Sequence, residues 1–266
     1  MNRIDKAFEK LHPRERALIG YMTLGFLKRR RTIDLCLALL EECDLLELGI
    51  PFSDPIMDGP VIQRSSATAL RRGFRLADAF RLAEELRGRT EKPLLFMTYY
   101  NPVFRLGHRE FARRAAGAGV DGVIIPDLPP EEMGPWREAA DAEGLYTIFF
   151  LSPTSPEERM EMVGREARGF VYCISLKGVT GARRDLPEGL WDFLERTRRH
   201  CPLPRALGLG ISRPEQCREV APHVEAVVVG SAFVGTVLDA LDRGEDPLPA
   251  LVGLARSLKE ALSSSR

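Results

Sequence analysis

The chain lacks any apolar run near the ~20 residues needed to cross a bilayer. Its first ten residues are charged and amphipathic, without the long apolar core of a signal peptide. Cysteine is sparse: Cys36, Cys43, Cys173, Cys201 and Cys217 are odd in number and show no CxxC spacing. This argues against a disulfide framework and fits reduced thiols in a cytoplasmic protein. The four histidines, His12, His108, His200 and His223, are scattered and form no ligand motif, so no metal site is expected. Neither sign of charge is in excess, with 38 Lys and Arg against 38 Asp and Glu. No basic face for nucleic acid or an anionic membrane is implied, and near-neutrality suits a protein that works in a complex. No GxGxxG follows the first strand-like run, so the dinucleotide-binding fingerprint is missing too.

What is present is a long alternation. Hydrophobic residues make up 44% and charged residues 29% of 266, enough for a well-packed core and unlike a disordered chain. Short apolar runs at 17–23, 44–50, 93–98, 122–126, 146–151, 169–175, 204–208 and 226–230 are bounded by Gly, Pro, Asp or Ser and read as strands. Helix-length segments with spaced apolar residues lie between them, among them 33–42, 110–118, 130–142, 157–164 and 190–200. Eight strands separated by helices predict an α/β fold, a single (β/α)8 TIM barrel spanning 1–266, a length close to the ~250 residues typical of that fold. The segment 3–10 predicts an extra N-terminal helix able to plug the barrel bottom. Segments 61–71 and 76–87 predict two helices after strand two, and 248–262 a last helix, fraying at 263–266. No linker, repeat or low-complexity tract divides the chain.

In such a barrel the active site forms at the C-terminal ends of the strands. Three segments there carry unusual residues. In LLELGIPFSDPIMDGP, Glu47 sits inside an apolar strand, on the face opposite Leu46 and Leu48. If the leucines pack under helices, Glu47 faces the barrel mouth, where loss of water raises its pKa and suits it to proton transfer. Asp58 follows in a loop bounded by Pro and Gly. A cap or a buried ion pair is the plain alternative for either carboxylate. The basic, glycine-bearing stretch 172–184 reads either as a mobile lid or as an ordinary solvated loop. Finally, Gly208-Leu209-Gly210-Ile211-Ser212 and Gly230-Ser231-Ala232 close strands seven and eight, where a barrel of this kind binds phosphate on backbone N–H groups; two tight turns are the alternative.

With these segments assembled, ELGIPFSDPIMDGPVIQ closely resembles the signature of tryptophan synthase alpha chains. The resemblance continues through Tyr21-Met22-Thr23-Leu24-Gly25, Met97-Thr98-Tyr99-Tyr100-Asn101-Pro102, Ile125-Pro126-Asp127-Leu128-Pro129, Gly178-Val179-Thr180-Gly181 and Gly230-Ser231-Ala232. It implies a lyase that cleaves indole-3-glycerol phosphate to indole and glyceraldehyde 3-phosphate in tryptophan biosynthesis. By that resemblance Glu47 is the general acid/base and Asp58 the carboxylate on the indole N–H. Tyr21, Tyr99 and Tyr172 line the site, and Thr180 closes onto Asp58. Gly181, Gly210, Gly230 and Ser231 hold phosphate, while Asp54, Pro55 and Asn101 meet a beta subunit in an α2β2 heterotetramer. No cofactor is expected in this chain, since pyridoxal phosphate belongs to the beta subunit. Three positions depart from the family pattern: Met57 stands before the aspartate where a small residue is usual, Leu209 replaces a Phe, and Phe26-Leu27 replaces Asp-Pro or Phe-Pro.

Other readings stay open on sequence alone. A stand-alone lyase releasing free indole would keep the same residues. A non-catalytic regulatory barrel is disfavoured because both Glu47 and Asp58 are kept. A sugar-phosphate isomerase would explain the phosphate loops and leave the Glu47–Asp58 segment unexplained.

Overall fold

The computed structural model describes residues 1–174, 186 and 189–263. The first strand, β1 (Ala17–Thr23), is buried along its whole length, as is β2 (Leu45–Gly49). Continuous burial is what a parallel strand covered on both faces requires, and it explains why these segments read as apolar runs and not as alternations. They are followed by β3 (Leu94–Met97), β4 (Gly122–Ile124), β5 (Tyr146–Ile148), β6 (Phe150–Leu151), β7 (Val171–Ile174), β8 (Arg205–Gly208) and β9 (Ala226–Val229). All pairings are parallel, in the order β5-β4-β3-β2-β1-β9-β8-β7-β6.

The two ends of that order are neighbours in sequence. β5 and β6 are halves of one run interrupted at Phe149: the lower half pairs with β4 and the upper half with β7, and Phe149 O accepts from Tyr172 N–H at 2.9 Å. The expected strand at 146–151 is thus one stave of the barrel, split because barrel staves are staggered and its two edges bond at different heights. The sheet closes, and the eight expected runs are its eight staves.

Helix α1 (Arg3–Glu9) lies at one end of the barrel, and α2 (Arg29–Glu42), α3 (Pro60–Arg71), α4 (Leu76–Arg87), α5 (Tyr100–Leu106), α6 (His108–Gly117), α7 (Gly134–Ala142), α8 (Glu157–Glu166), α9 (Leu190–His200), α10 (Pro214–Val220), α11 (Ser231–Asp242) and α12 (Pro247–Ser263) cover the outside. α4 and α9 start and stop where apolar spacing places them. The segment 130–142 does not form one helix: a 3-10 turn, Pro130–Glu132, precedes α7. Pro135 has no N–H to give to residue 131 and its ring would meet that carbonyl, so the helix restarts. α2 begins earlier than its apolar periodicity, because Arg29, Arg30 and Arg31 carry no apolar signal. α11 buries Phe233, Val234, Val237 and Leu238, and so many apolar positions leave little periodic contrast.

α1 closes the barrel bottom as expected. Asn2 caps it, accepting from Ile4 N–H, and Ile4 is fully buried among Ile19, Leu95, Ile124 and Phe170. Beneath the sheet, Asp121 accepts from Arg3 and Arg87 (3.1 and 2.9 Å) and from Leu94 N–H (2.9 Å), a buried carboxylate with its partners in place. Outside the barrel, Phe80, Phe96, Phe111 and Trp136 meet edge to face at 5.5–6.4 Å, and Trp136 Nε1 donates to Thr147 at 3.2 Å. Among the described residues no helix is long and apolar enough to cross a membrane.

Candidate active site

Strand register puts Tyr21 opposite Glu47 and Glu47 opposite Leu95. Leu46 and Leu48 pack outward in the core beneath the helices, so Glu47 points inward, as strand alternation requires. Glu47 is fully buried, and neither carboxyl oxygen has a hydrogen-bond partner among the described residues. Burial alone pushes its pKa up to about 8. Among the described residues no cation and no donor compensates, so none of them makes the ion pair that was the alternative for Glu47.

Glu47 opens onto a cavity of about 290 Å³ at the C-terminal ends of the strands. Tyr21 and Tyr172 form two of its walls. Each ring needs a glycine beside it: a Cβ on Gly49 would overlap the Tyr21 hydroxyl, and one on Gly208 would overlap the Tyr172 ring. Burial raises both phenols, which stay neutral. Met97, Pro126, Phe150, Ile174, Leu209 and Val228 make the remaining wall largely apolar. The sequence reading assigned none of these six to the wall of the site. Strand alternation was the available signal, since Ile174 lies two residues beyond Tyr172 on the same face.

Asp58 reaches the cavity from the loop between β2 and α3. Three contacts shape that loop. Met57 N–H donates to the Tyr99 hydroxyl at 3.0 Å, Gln63 Nε2 donates to Asp58 O at 2.9 Å, and Asp58 N–H donates to Pro55 O at 3.0 Å. Burial pushes Asp58 up to about 6, while a hydrogen bond with Tyr99 pulls the other way. Near pH 7 the site therefore holds one largely protonated carboxyl, Glu47, and one largely ionised carboxylate, Asp58. Two like groups driven apart by their surroundings form an acid/base arrangement.

The other end of the cavity is Gly208, Gly210, Gly230 and Ser231. Gly210 has φ +76°, a conformation L side chains rarely adopt. α11 starts at Ser231 with no side-chain cap and no acidic residue in its first turn, so its leading N–H groups face this end unneutralised.

The remaining expected residues fall in three places. Tyr99 stands behind the Asp58 loop and stacks on Phe52 at 5.1 Å; it is not in the cavity wall. Thr180 and Gly181 lie outside the described residues. Asp54 and Asn101 are exposed and Pro55 is half-buried, on the rim. Beside them Ile56 and Phe104 are 76% and 63% exposed, apolar residues that the sequence reading did not single out. Met57 lines the mouth of the cavity beside Asp58 and is 40% exposed. Among the described residues no group of His, Cys, Asp or Glu is arranged to hold a metal.

The family model for the tryptophan synthase alpha chain matches residues 8–263. The alpha chain of Thermoanaerobacter sp. is 40% identical over 264 residues, covering 98% of this chain and all of that protein. The alpha chain of Legionella pneumophila superposes with a TM-score of 0.91 at 37% identity, over 98% of this chain and 97% of that one. A chain of the tryptophan synthase α2β2 complex of Pyrococcus furiosus superposes with a TM-score of 0.85 at 39% identity, over 92% and 98%. With matches of this length and identity, the chain belongs to the tryptophan synthase alpha chain family.

Proposed function

We propose that this chain cleaves indole-3-glycerol phosphate to indole and glyceraldehyde 3-phosphate, with Glu47 as acid and base and Asp58 facing the indole nitrogen. The observation that carries this reading is Glu47 itself: buried, without a partner among the described residues, and lining a cavity that it shares with a second, ionised carboxylate. A buried polar group left unsatisfied is costly, and substrate is what supplies the missing bonds.

The chemistry follows from the protonation states. Protonated Glu47 gives its proton to indole C3, and the ring becomes an indolenine with positive charge on nitrogen. Ionised Asp58 stabilises that charge with an electrostatic field set in advance. Glu47, now a carboxylate, takes the proton of the glycerol hydroxyl next to the scissile bond. The C–C bond breaks, its electrons return to the ring, the aldehyde forms, and indole leaves. One group doing both steps needs a pKa near the working pH, which burial supplies. The uncapped start of α11, with Gly210, Gly230 and Ser231, holds the phosphate and aligns the far end of the substrate. Gly181 joins that site and Thr180 pairs with Asp58, by the family resemblance.

No cofactor is required in this chain. We place the beta subunit, which carries pyridoxal phosphate, on the rim formed by Asp54, Pro55 and Asn101, with Ile56 and Phe104 as its apolar anchors. An exposed apolar pair beside the loop that carries Asp58 lets docking act on the carboxylate directly. The setting is cytoplasmic and the chain acts as one domain. The test is indole release from indole-3-glycerol phosphate by the purified chain, alone and with a beta subunit. Absence of cleavage in both would overturn the reading; equal rates in both would remove the partner's role and leave a stand-alone lyase.

A further inference from the structure

The departure at Met57 puts a long side chain at the mouth of the cavity, next to Asp58. Met57 is 40% exposed, whereas Met22, Met133 and Met160 are buried in the core. The backbone on which it stands is held on both sides. Ile56 N–H donates to Asp54 O at 2.9 Å, Met57 N–H to Tyr99 Oη at 3.0 Å and Asp58 N–H to Pro55 O at 3.0 Å, and Gln63 Nε2 donates to Asp58 O at 2.9 Å. The side chain itself is unbranched and flexible, with a polarisable sulfur that packs well on aromatic rings. Across the barrel is an aromatic wall. β7 lies four staves from β2 in either direction round the sheet, so Tyr172 faces the β2 side of the cavity. Its ring meets that of Phe150, with the centroids 4.8 Å apart.

We propose that Met57 is a substrate-contact residue, which closes its thioether over the indole ring on the side away from Tyr172. The proposal rests on the reading that Asp58 meets the indole N–H. Consecutive Cα atoms lie about 3.8 Å apart, and a methionine side chain is longer than that spacing, so a ring held by its nitrogen at Asp58 lies within reach of Met57. The ring covers apolar surface that Met57 otherwise exposes, and Met57 covers the ring in return, which favours binding. The contact involves no charge and changes little as the indolenine forms. Met57 therefore binds substrate and transition state alike, and its removal raises KM with kcat kept. Asp58 differs, since its charge acts most strongly on the indolenine. The small residue usual in the family at this position would leave that side of the ring to solvent.

The test separates contact from simple support of the loop. The whole chain is isotopically labelled at its methionine methyl groups, and the Met57 resonance is the one lost in Met57→Leu. With indole bound, that methyl should show nuclear Overhauser contacts to the indole ring protons. Met57→Ala should weaken indole binding about five- to ten-fold in a titration calorimeter, and Met57→Leu should recover most of the loss. The affinity for glyceraldehyde 3-phosphate, which has no ring, should stay unchanged in both. In cleavage, Met57→Ala should raise KM by a similar factor, with kcat within about two-fold of wild type. Absence of the Overhauser contact, or an unchanged indole affinity in Met57→Ala, would overturn the proposal. A fall in kcat larger than the rise in KM would also overturn it, because the substitution would then act by displacing Asp58. Weaker beta-subunit binding by Met57→Ala with indole affinity intact would make Met57 a docking residue and overturn it too. Contact with indole in a chain that does not cleave the substrate would uphold the contact and overturn the lyase reading. Cleavage without the contact would uphold the lyase reading and overturn the contact.

Discussion

Among the described residues two carboxyl groups are fully buried, Asp121 and Glu47, and the fold treats them in opposite ways. Asp121, at the N-terminal end of β4, accepts from two arginines and a backbone N–H. Glu47, on β2 and facing the mouth, accepts from none of the described residues. The bottom of the barrel buries a charge and satisfies it completely; the top buries a carboxyl and leaves it short of partners. A protein keeps such a deficit where the bonds are to be made by something else. The contrast separates what holds the barrel together from what the barrel does.

The sharpest way to break the comparison is at Glu47. Glu47→Gln should lower cleavage by ~10²–10⁴-fold or more, measured as indole release, while the fold stays intact. The same variant should gain stability relative to wild type as pH rises. The folded Glu47 pKa lies above its ordinary value of 4.5, at about 8, so between these values the folded state binds the proton more tightly than the unfolded state. Wild type loses stability across that window, and the loss is complete above it. Urea midpoints at pH 5 and pH 9 should therefore diverge between the two proteins, with the variant ahead at pH 9. Equal midpoints at both would show that Glu47 is not held against its solvation.

Asp58→Asn should cripple turnover by a different route. It removes the charge facing the indolenine and spares the phosphate end, so kcat falls by a factor of ~10²–10³ while the affinity for glyceraldehyde 3-phosphate changes much less. Equal losses in both would make Asp58 a binding residue.

At the bottom the expected result is reversed. Asp121→Ala leaves Arg87 half-buried without its partner and should cost about 3 kcal/mol of stability in urea unfolding, with cleavage per folded molecule unchanged. A variant that keeps its stability and loses activity would erase the distinction between the two ends. The smallest effect belongs to the rim. Phe104→Ala, on an exposed side chain, should weaken beta-subunit affinity by roughly ten-fold in a titration calorimeter and leave the unstimulated rate alone.

Much of this was legible in the chain. The eight staves, the plug helix and the paired helices after strand two follow from apolar runs and their punctuation, since burial on both faces demands such runs. The inward direction of Glu47 follows from alternation within one strand. The interruption at Phe149 was not legible, because it reflects the stagger between β4 and β7 and no local signal. The place of Tyr99 was also hidden: its ring stacks on Phe52 and its hydroxyl accepts from the Met57 backbone N–H, both more than forty residues away along the chain.

The sequence by itself determined which groups are available to this site: two carboxyls in one signature segment, glycines after the last two strands, and no metal-binding pattern. Those are properties of residue type and spacing, written locally. Only the tertiary structure decided their states. Glu47 sits near 8 and Asp58 near 6 because of how much water each loses and which hydroxyls approach, and both depend on strands and helices distant in sequence. Desolvation and hydrogen bonding are sums over neighbours in space, so they exist only once the barrel has closed.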